Sequence, residues 1–344
     1  MAADEAPGPR FEAAAEHWSR YWRAGYLHSC PNAFRGNYAD ELRELWHEFF
    51  HSLPARARLL DIGTGNGAIA FMARDVSGAA QKDFDIHAID AAQIEPERAA
   101  AALGTDASGI AFRGSLPLEA NEFDSGSFDA VSGQFALEYT ELGAAAAQLS
   151  RLLKPGGRGL FVLHHAESMA VRTAQHDLAH LDVVLGELQL THHARSFANH
   201  VSSARTSEEL KALTEGAEGR QMLANLNAAA RLVHERQRSD SSAQWLQGVT
   251  SQLAAVLQDT AQLNVAVAMH RLDVLDTEMQ AHRRRLADII RCAQSSADIL
   301  RTATTLQTAG LASEPPRELL IRGGELIGWM LRIEKPVPTE GGTS

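Results

Sequence analysis

Residues 59–68 read Leu59-Leu60-Asp61-Ile62-Gly63-Thr64-Gly65-Asn66-Gly67-Ala68. An apolar run enters a turn of alternating glycines, and a helix is expected to follow. Glycine reaches left-handed backbone without steric cost and lets the chain approach a ligand closely. Gly63-x-Gly65-x-x-Ala68 also satisfies the dinucleotide fingerprint, so the glycines alone leave the ligand open. Asp61 narrows the choice. A carboxylate just before the turn opposes a pyrophosphate at the helix N-terminus and favours a ligand that is cationic and carries no phosphate.

Moving outward, short apolar runs at Arg58–Ile62, Ile86–Ile89, Phe128–Ser132 and Gly159–His164 alternate with helical stretches. That alternation predicts βαβ units and a parallel sheet. Lys154-Pro155-Gly156-Gly157 predicts a tight turn before the last run. Asp90, ending the second run, is placed to accept hydrogen bonds from both hydroxyls of a ribose. N-terminal to this block, Trp18, Tyr21, Trp22, Tyr26, Leu42, Leu45, Trp46, Phe49 and Phe50 recur near helical spacing. C-terminal to it, residues 166–308 are rich in Ala, Leu, Gln, Arg and Glu and contain no proline, which predicts several long helices. Leu246, Val249, Leu253, Val256, Leu257, Leu263 and Val267 mark their apolar faces. Pro315-Pro316 ends the helical run, and Glu318–Arg322 and Leu326–Ile333 then read as two strands around Gly323-Gly324. Strand signals returning after helices mean that the helices interrupt one sheet domain.

The formal net charge is −11, with no basic tail or stripe, which disfavours a phosphate-backbone partner. Arg283-Arg284-Arg285 reads as a solvated helix face. No stretch reaches the length of a spanning helix, and the opening MAADEAPGPR lacks the apolar run of a secretory signal. Cys30 and Cys292 lie far apart without metal-ligand spacing. They suit packing in a reduced, cytoplasmic setting.

Five segments fall in the order seen in class I S-adenosylmethionine-dependent methyltransferases: Asp61–Gly67, Asp90, Gly114–Pro117, Ser127–Ser132 and Leu152–Gly157. The chain resembles that family, and within it the branch of ubiquinone/menaquinone-type methyltransferases. The resemblance implies a doubly wound, Rossmann-like α/β sheet with an aromatic-rich helical cover over residues 1–54. It places a cofactor-binding core at 55–165, a helical insertion at 166–281 after the fifth strand and a return to the core at 282–335, while the composition from Pro336 predicts a disordered tail at 336–344. It implies S-adenosyl-L-methionine as cofactor, yielding S-adenosyl-L-homocysteine. Gly63 and Gly65 would pass under the methionine portion, with Asp61 and Gly67 in the same turn. Asp90 and Ala91 would meet the ribose, Ser115 and Leu116 would border the adenine, and Gln134 would meet the methionine carboxylate or amine. Family members often carry an acid near Ser115; serine stands there in this chain. The Asp/Asn-Pro-Pro-aromatic run of nucleic-acid amino methylation is absent after Phe128-Asp129. Its absence argues for another acceptor; a small molecule is expected, with oxygen the first choice of atom and nitrogen or carbon left open.

His164 and His165 end a strand run, where imidazole could take a proton from the acceptor. Glu138, Tyr139, Tyr21 and Trp22 are further acceptor or lid candidates. Seven of the fifteen histidines lie between 164 and 200, and His176 and His180 would share a helix face, but no third ligand completes a metal site. The insertion is expected to act as an acceptor lid or as a homodimer surface. The competing reading is a catalytically silent relative whose insertion binds a protein partner.

Overall fold

The computed structural model describes residues 9–29, 36–240, 245–321 and 323–338. Cys30, Arg322 and residues 339–344 of the expected tail lie outside them. The chain divides into two compact units, one holding the residues up to Arg172 and again from Ile289, the other holding Thr173–Asp288.

In the first unit, helices α1 (Pro9–Arg23) and α2 (Asp40–His51) precede strand β1 (Arg58–Ile62). Then come α3 (Ala68–Ala79), β2 (Asp85–Ile89), α4 (Pro96–Ala102), β3 (Ile110–Arg113) and β4 (Phe128–Gln134). Helix α5 (Leu142–Leu152) leads into β5 (Leu153–His164). Helices α6 (Met169–Asp182) to α11 (Val265–Cys292) follow, before α12 (Ser296–Thr308), β6 (Ala312–Ser313), β7 (Arg317–Ile321) and β8 (Glu325–Glu334). The strand order is β3-β2-β1-β4-β5-β8-β6, with β7 also on β8. The first five strands run parallel; β8 joins β5 antiparallel, from Arg158↔Glu334 to His164↔Gly328. The expected fold class is the observed one.

Period-2 alternation splits the strand residues between two cores. Leu60, Ile62, Val131, Phe161 and Leu163 pack with α5 and α12 on one face. Leu59, Ala130, Leu160 and Val162 pack with Trp46, Phe50, Ile69 and Met72 of α2 and α3 on the other. Burial on both faces is why these strands read as continuous apolar runs.

One local expectation changes. The Lys154–Gly157 turn is a bulge inside β5, where pairing steps from Phe128↔Leu153 to Ala130↔Arg158. Gly156 supplies a positive φ of 78° there. Strand β3 has no apolar run of its own in the sequence: its four residues sit at the sheet edge and none is fully buried.

In the second unit, α7 (Leu190–His200), α8 (Ser207–Glu215) and α10 (Leu246–Ala261) pack on α9 (Ala217–Ser239). Leu246, Val249, Leu253 and Val256 are buried, as their spacing predicts. Val267 is not: α11 buries Ala268, Leu272 and Leu275 instead, and Val267 is exposed. Arg195 binds Asp273 and Asp276 of α11 at 2.8 and 2.9 Å, and Arg283 binds Asp182 at 2.7 Å. His180 Nε2 meets Asp240 Oδ2 at 2.9 Å, while His176 is exposed. Among the described residues, no helix is long and apolar enough to cross a membrane.

Candidate functional site

Strand order reverses at β1, which has β2 on one side and β4 on the other. The chain therefore leaves the two neighbours of β1 in opposite directions, and a crevice opens beyond their carboxyl ends. A cleft of about 1100 Å³, its open mouth included, occupies that position. Asp61, Gly63, Asp90, Ala91, Leu116, Gln134 and Tyr139 line it, together with Trp18 and Trp22.

The glycine turn has the backbone its sequence demands. Gly63, Gly65 and Gly67 have φ of 54°, 54° and 97°, all in the left-handed region. The turn is also crowded. A Cβ on Gly65 would stand 2.7 Å from the Trp22 ring, and one on Gly67 would stand 2.7 Å from Phe112. Gly63 thus lines the cleft, while Gly65 lies under the Trp22 indole and Gly67 packs inward.

Both acids at the turn are buried and hydrogen-bonded. Thr64 Oγ1 donates to Asp61 Oδ2 at 2.6 Å, and Ser132 Oγ donates to Asp61 Oδ1 at 2.7 Å. Burial pushes the Asp61 carboxyl up to about 7; the two hydroxyl bonds oppose this, and the charge of Asp90 adds to it. Asp90 accepts from the Gly65 and Ala92 N–H groups at 2.7 and 2.8 Å. Burial pushes it up to about 6 against those two bonds. Asp90 therefore braces the glycine turn, and each oxygen keeps a second lone pair for a ligand hydroxyl.

Asn66, fully buried, was not singled out in the sequence although it stands inside the quoted turn. Its Nδ2 donates to the carbonyls of Trp22 and Tyr26 at 2.9 and 2.7 Å, and its Oδ1 accepts from Glu95 N–H at 2.7 Å. This one side chain ties the end of α1 to the turn. Trp18 stacks on Trp22 at 6.0 Å and meets Tyr139 edge-on at 5.8 Å, so the aromatic cover reaches the opposite wall. Tyr21 is not a lining residue; its hydroxyl donates to the His28 carbonyl at 2.9 Å and its ring stacks on Tyr26.

Beyond β4 the wall continues through Phe135, whose φ of 53° is strained for a non-glycine residue. Gln134 accepts a hydrogen bond from Trp46 Nε1 at 2.6 Å, a pairing across 88 positions that no local pattern announces. Ser115, at φ 54°, is exposed and lies outside the lining, and its neighbour Leu116 faces the cleft.

The remaining candidates stand one layer back. His164, 1% exposed, gives its backbone N–H and its Nδ1 to Glu138 Oε1 at 2.7 and 2.8 Å. Its ring lies 4.1 Å from that of Phe135 and 6.0 Å from that of Tyr139. His165 faces the other way, stacked 4.5 Å from Trp329 with Nε2 3.7 Å from Glu318. Neither histidine nor Glu138 belongs to the described lining of the cleft. No group of three metal-ligating side chains occurs among the described residues.

A sequence model described as a methyltransferase domain matches residues 34–218. No curated protein matches the chain. Among solved structures, a geranyl diphosphate methyltransferase complexed with GPP and sinefungin is 19% identical, with TM-score 0.36 over 45% of this chain and 66% of that one. The geranyl diphosphate C-methyltransferase of Streptomyces coelicolor A3(2) is 18% identical, with TM-score 0.34 over 46% and 65%. An S-adenosylmethionine dependent methyltransferase from Mesorhizobium loti is 23% identical, with TM-score 0.29 over 36% and 54%. The chain thus spans under two thirds of the length of these structures.

Proposed function

The chain belongs to the methyltransferase domain family, and from that premise we propose that it methylates a small-molecule acceptor, at an oxygen atom, in the cytoplasm. Its cofactor is S-adenosyl-L-methionine. Within the family we place it beside the ubiquinone/menaquinone-type branch, on the order of its five motifs.

The observation that carries the reading is the pair of buried acids, Asp61 and Asp90, on neighbouring strand ends beside a turn free of basic side chains. Two buried carboxylates are costly unless a cationic or hydroxyl-bearing ligand meets them. In this reading Asp61 attracts the ammonium end of the ligand, and Asp90 with Ala91 receives the ribose hydroxyls. Leu116 borders the base, and Trp18 and Trp22 exclude water from above. Bound S-adenosylmethionine supplies a methyl group already activated on sulfonium, so the protein's main task is alignment.

For the acceptor proton we propose His164. Glu138 takes the Nδ1 side of the ring and leaves Nε2 for a proton, one aromatic layer behind the cleft wall. A general base contributes roughly 10²–10⁴-fold. A His164→Asn variant that loses that much kcat with unchanged S-adenosylhomocysteine affinity supports the role, and an unchanged kcat removes it. We assign acceptor choice to the helical insertion on the family resemblance alone. The test of the function is transfer of labelled methyl from S-adenosylmethionine into a panel of phenols, hydroxy acids and amines. Label appearing in a hydroxyl acceptor is the expected result; label only in amines would move the acceptor atom, and cofactor binding without turnover on any acceptor would favour the silent relative.

A further inference from the structure

We propose that Trp46 makes Gln134 an obligate hydrogen-bond donor, and that this donor selects a cofactor with a free carboxylate over its decarboxylated form. The inference rests on the S-adenosylmethionine reading of the cleft.

An indole Nε1–H can only donate. At 2.6 Å from Gln134 it must therefore face the amide oxygen, since the opposite orientation would set donors against each other. Trp46 is fully buried on α2, stacked on Phe50 at 5.9 Å and edge-on to Phe49 at 6.2 Å, so packing holds the indole in place. The amide NH2 of Gln134 is consequently turned away from Trp46, on a residue that lines the cleft. That Nε2 is buried and has no hydrogen-bond partner. Leaving such a donor unsatisfied is unfavourable, and a ligand acceptor would relieve it.

The surroundings say which acceptor. Gln134 lies two residues beyond Ser132 on β4, hence on the same face, and Ser132 bonds Asp61. One wall thus presents a carboxylate acceptor and, a short step along the neighbouring strand, an amide donor. An amino-acid zwitterion is the matching ligand group, its ammonium toward Asp61 and its carboxylate toward Gln134. The amide NH2 has no lone pair to offer an ammonium, so the carboxylate is the only part of the amino-acid end that it can recognise. Decarboxylation leaves the adenosine and the ammonium intact and returns Nε2 to its unpaired state. A site with a buried polar group rejects ligands that lack its partner.

The experiment is calorimetric titration of wild type, Gln134→Glu and Trp46→Phe with S-adenosylhomocysteine and with its decarboxylated counterpart. Wild type should prefer the carboxylated ligand by at least about tenfold, the size of a hydrogen bond to a charged group. Gln134→Glu keeps an oxygen for the Trp46 N–H, and titrated at about pH 9, where a buried carboxyl is ionised, it replaces the donor with a charge that repels the ligand carboxylate. It should erase or reverse the preference while binding the decarboxylated ligand at least as well as wild type does. Trp46→Phe frees the amide to turn and should narrow the preference. Equal wild-type affinity for the two ligands, or equal weakening of both by Gln134→Glu, would overturn the proposal. Binding of neither ligand by folded wild type would instead overturn the cofactor reading, and this inference with it.

Discussion

At the residue scale, the site is organised by charge burial. The folded protein holds Asp61 near 7 and Asp90 near 6, whereas both ionise near 4 when unfolded. Between about pH 4 and pH 7 the native state therefore binds more protons than the unfolded chain. Stability without ligand must fall as pH rises through that window. Asp61→Asn, which mimics the protonated acid, should flatten this slope and raise the thermal midpoint at pH 8 while weakening S-adenosylhomocysteine binding. A midpoint that drops together with affinity would mean that the carboxylate itself supports the fold. The sign reverses for the ligand. A cationic ligand favours the ionised acids, so binding should release protons and tighten between pH 6 and pH 8. Titration in two buffers of different ionisation heat measures that release; affinity independent of pH over this range would contradict it.

Asp61, Asp90 and the glycines were legible because local backbone and charge decide their places. The Trp46–Gln134 bond and the Ser132–Asp61 bond were not, since each joins segments far apart in sequence that meet only once the sheet has formed.

At the element scale, the cover and the sheet meet through Asn66. Its replacement by alanine would leave two carbonyls and one N–H without their partners. At about 1–3 kcal/mol for a buried orphan, the loss should be at least about 2 kcal/mol. It should also loosen the stretch from Trp22 to Tyr26. Trypsin cleavage near Arg20 and Arg23 of Asn66→Ala should accelerate relative to wild type, and unchanged cleavage would place the anchor of α1 elsewhere. The apolar runs that announced β1, β2, β4 and β5 were readable because both faces of those strands are buried. Strand β3 left no such run for the opposite reason: half-buried at an edge, it has little apolar surface to show.

At the scale of the whole molecule, the sheet unit closes without the second unit's residues. Ala166 N–H donates to the Gln294 carbonyl at 2.9 Å, and Gln294 N–H donates to the His164 carbonyl at 2.8 Å. The chain thus departs from the sheet unit and returns to it at adjacent points. Replacing 173–288 with a short Gly/Ser linker should leave a folded protein that still binds S-adenosylhomocysteine but no longer turns over its acceptor. Loss of cofactor binding in a folded variant would show that the insertion contributes to the cofactor site. The change of composition after residue 165 is legible in the sequence, but the unit boundaries carry no local mark. Helices α6 and α11 run unbroken across both unit boundaries, so no glycine or proline marks them.

Calorimetric titration of the full chain with S-adenosylhomocysteine, beside Asp90→Ala, asks whether the cleft beyond β1 holds the cofactor. Saturable binding at one site per chain is expected, weakened at least about tenfold when Asp90 loses its bonds to the ligand and to the Gly65 turn. Absence of binding by a folded wild-type protein, or equal affinity in the variant, would contradict it.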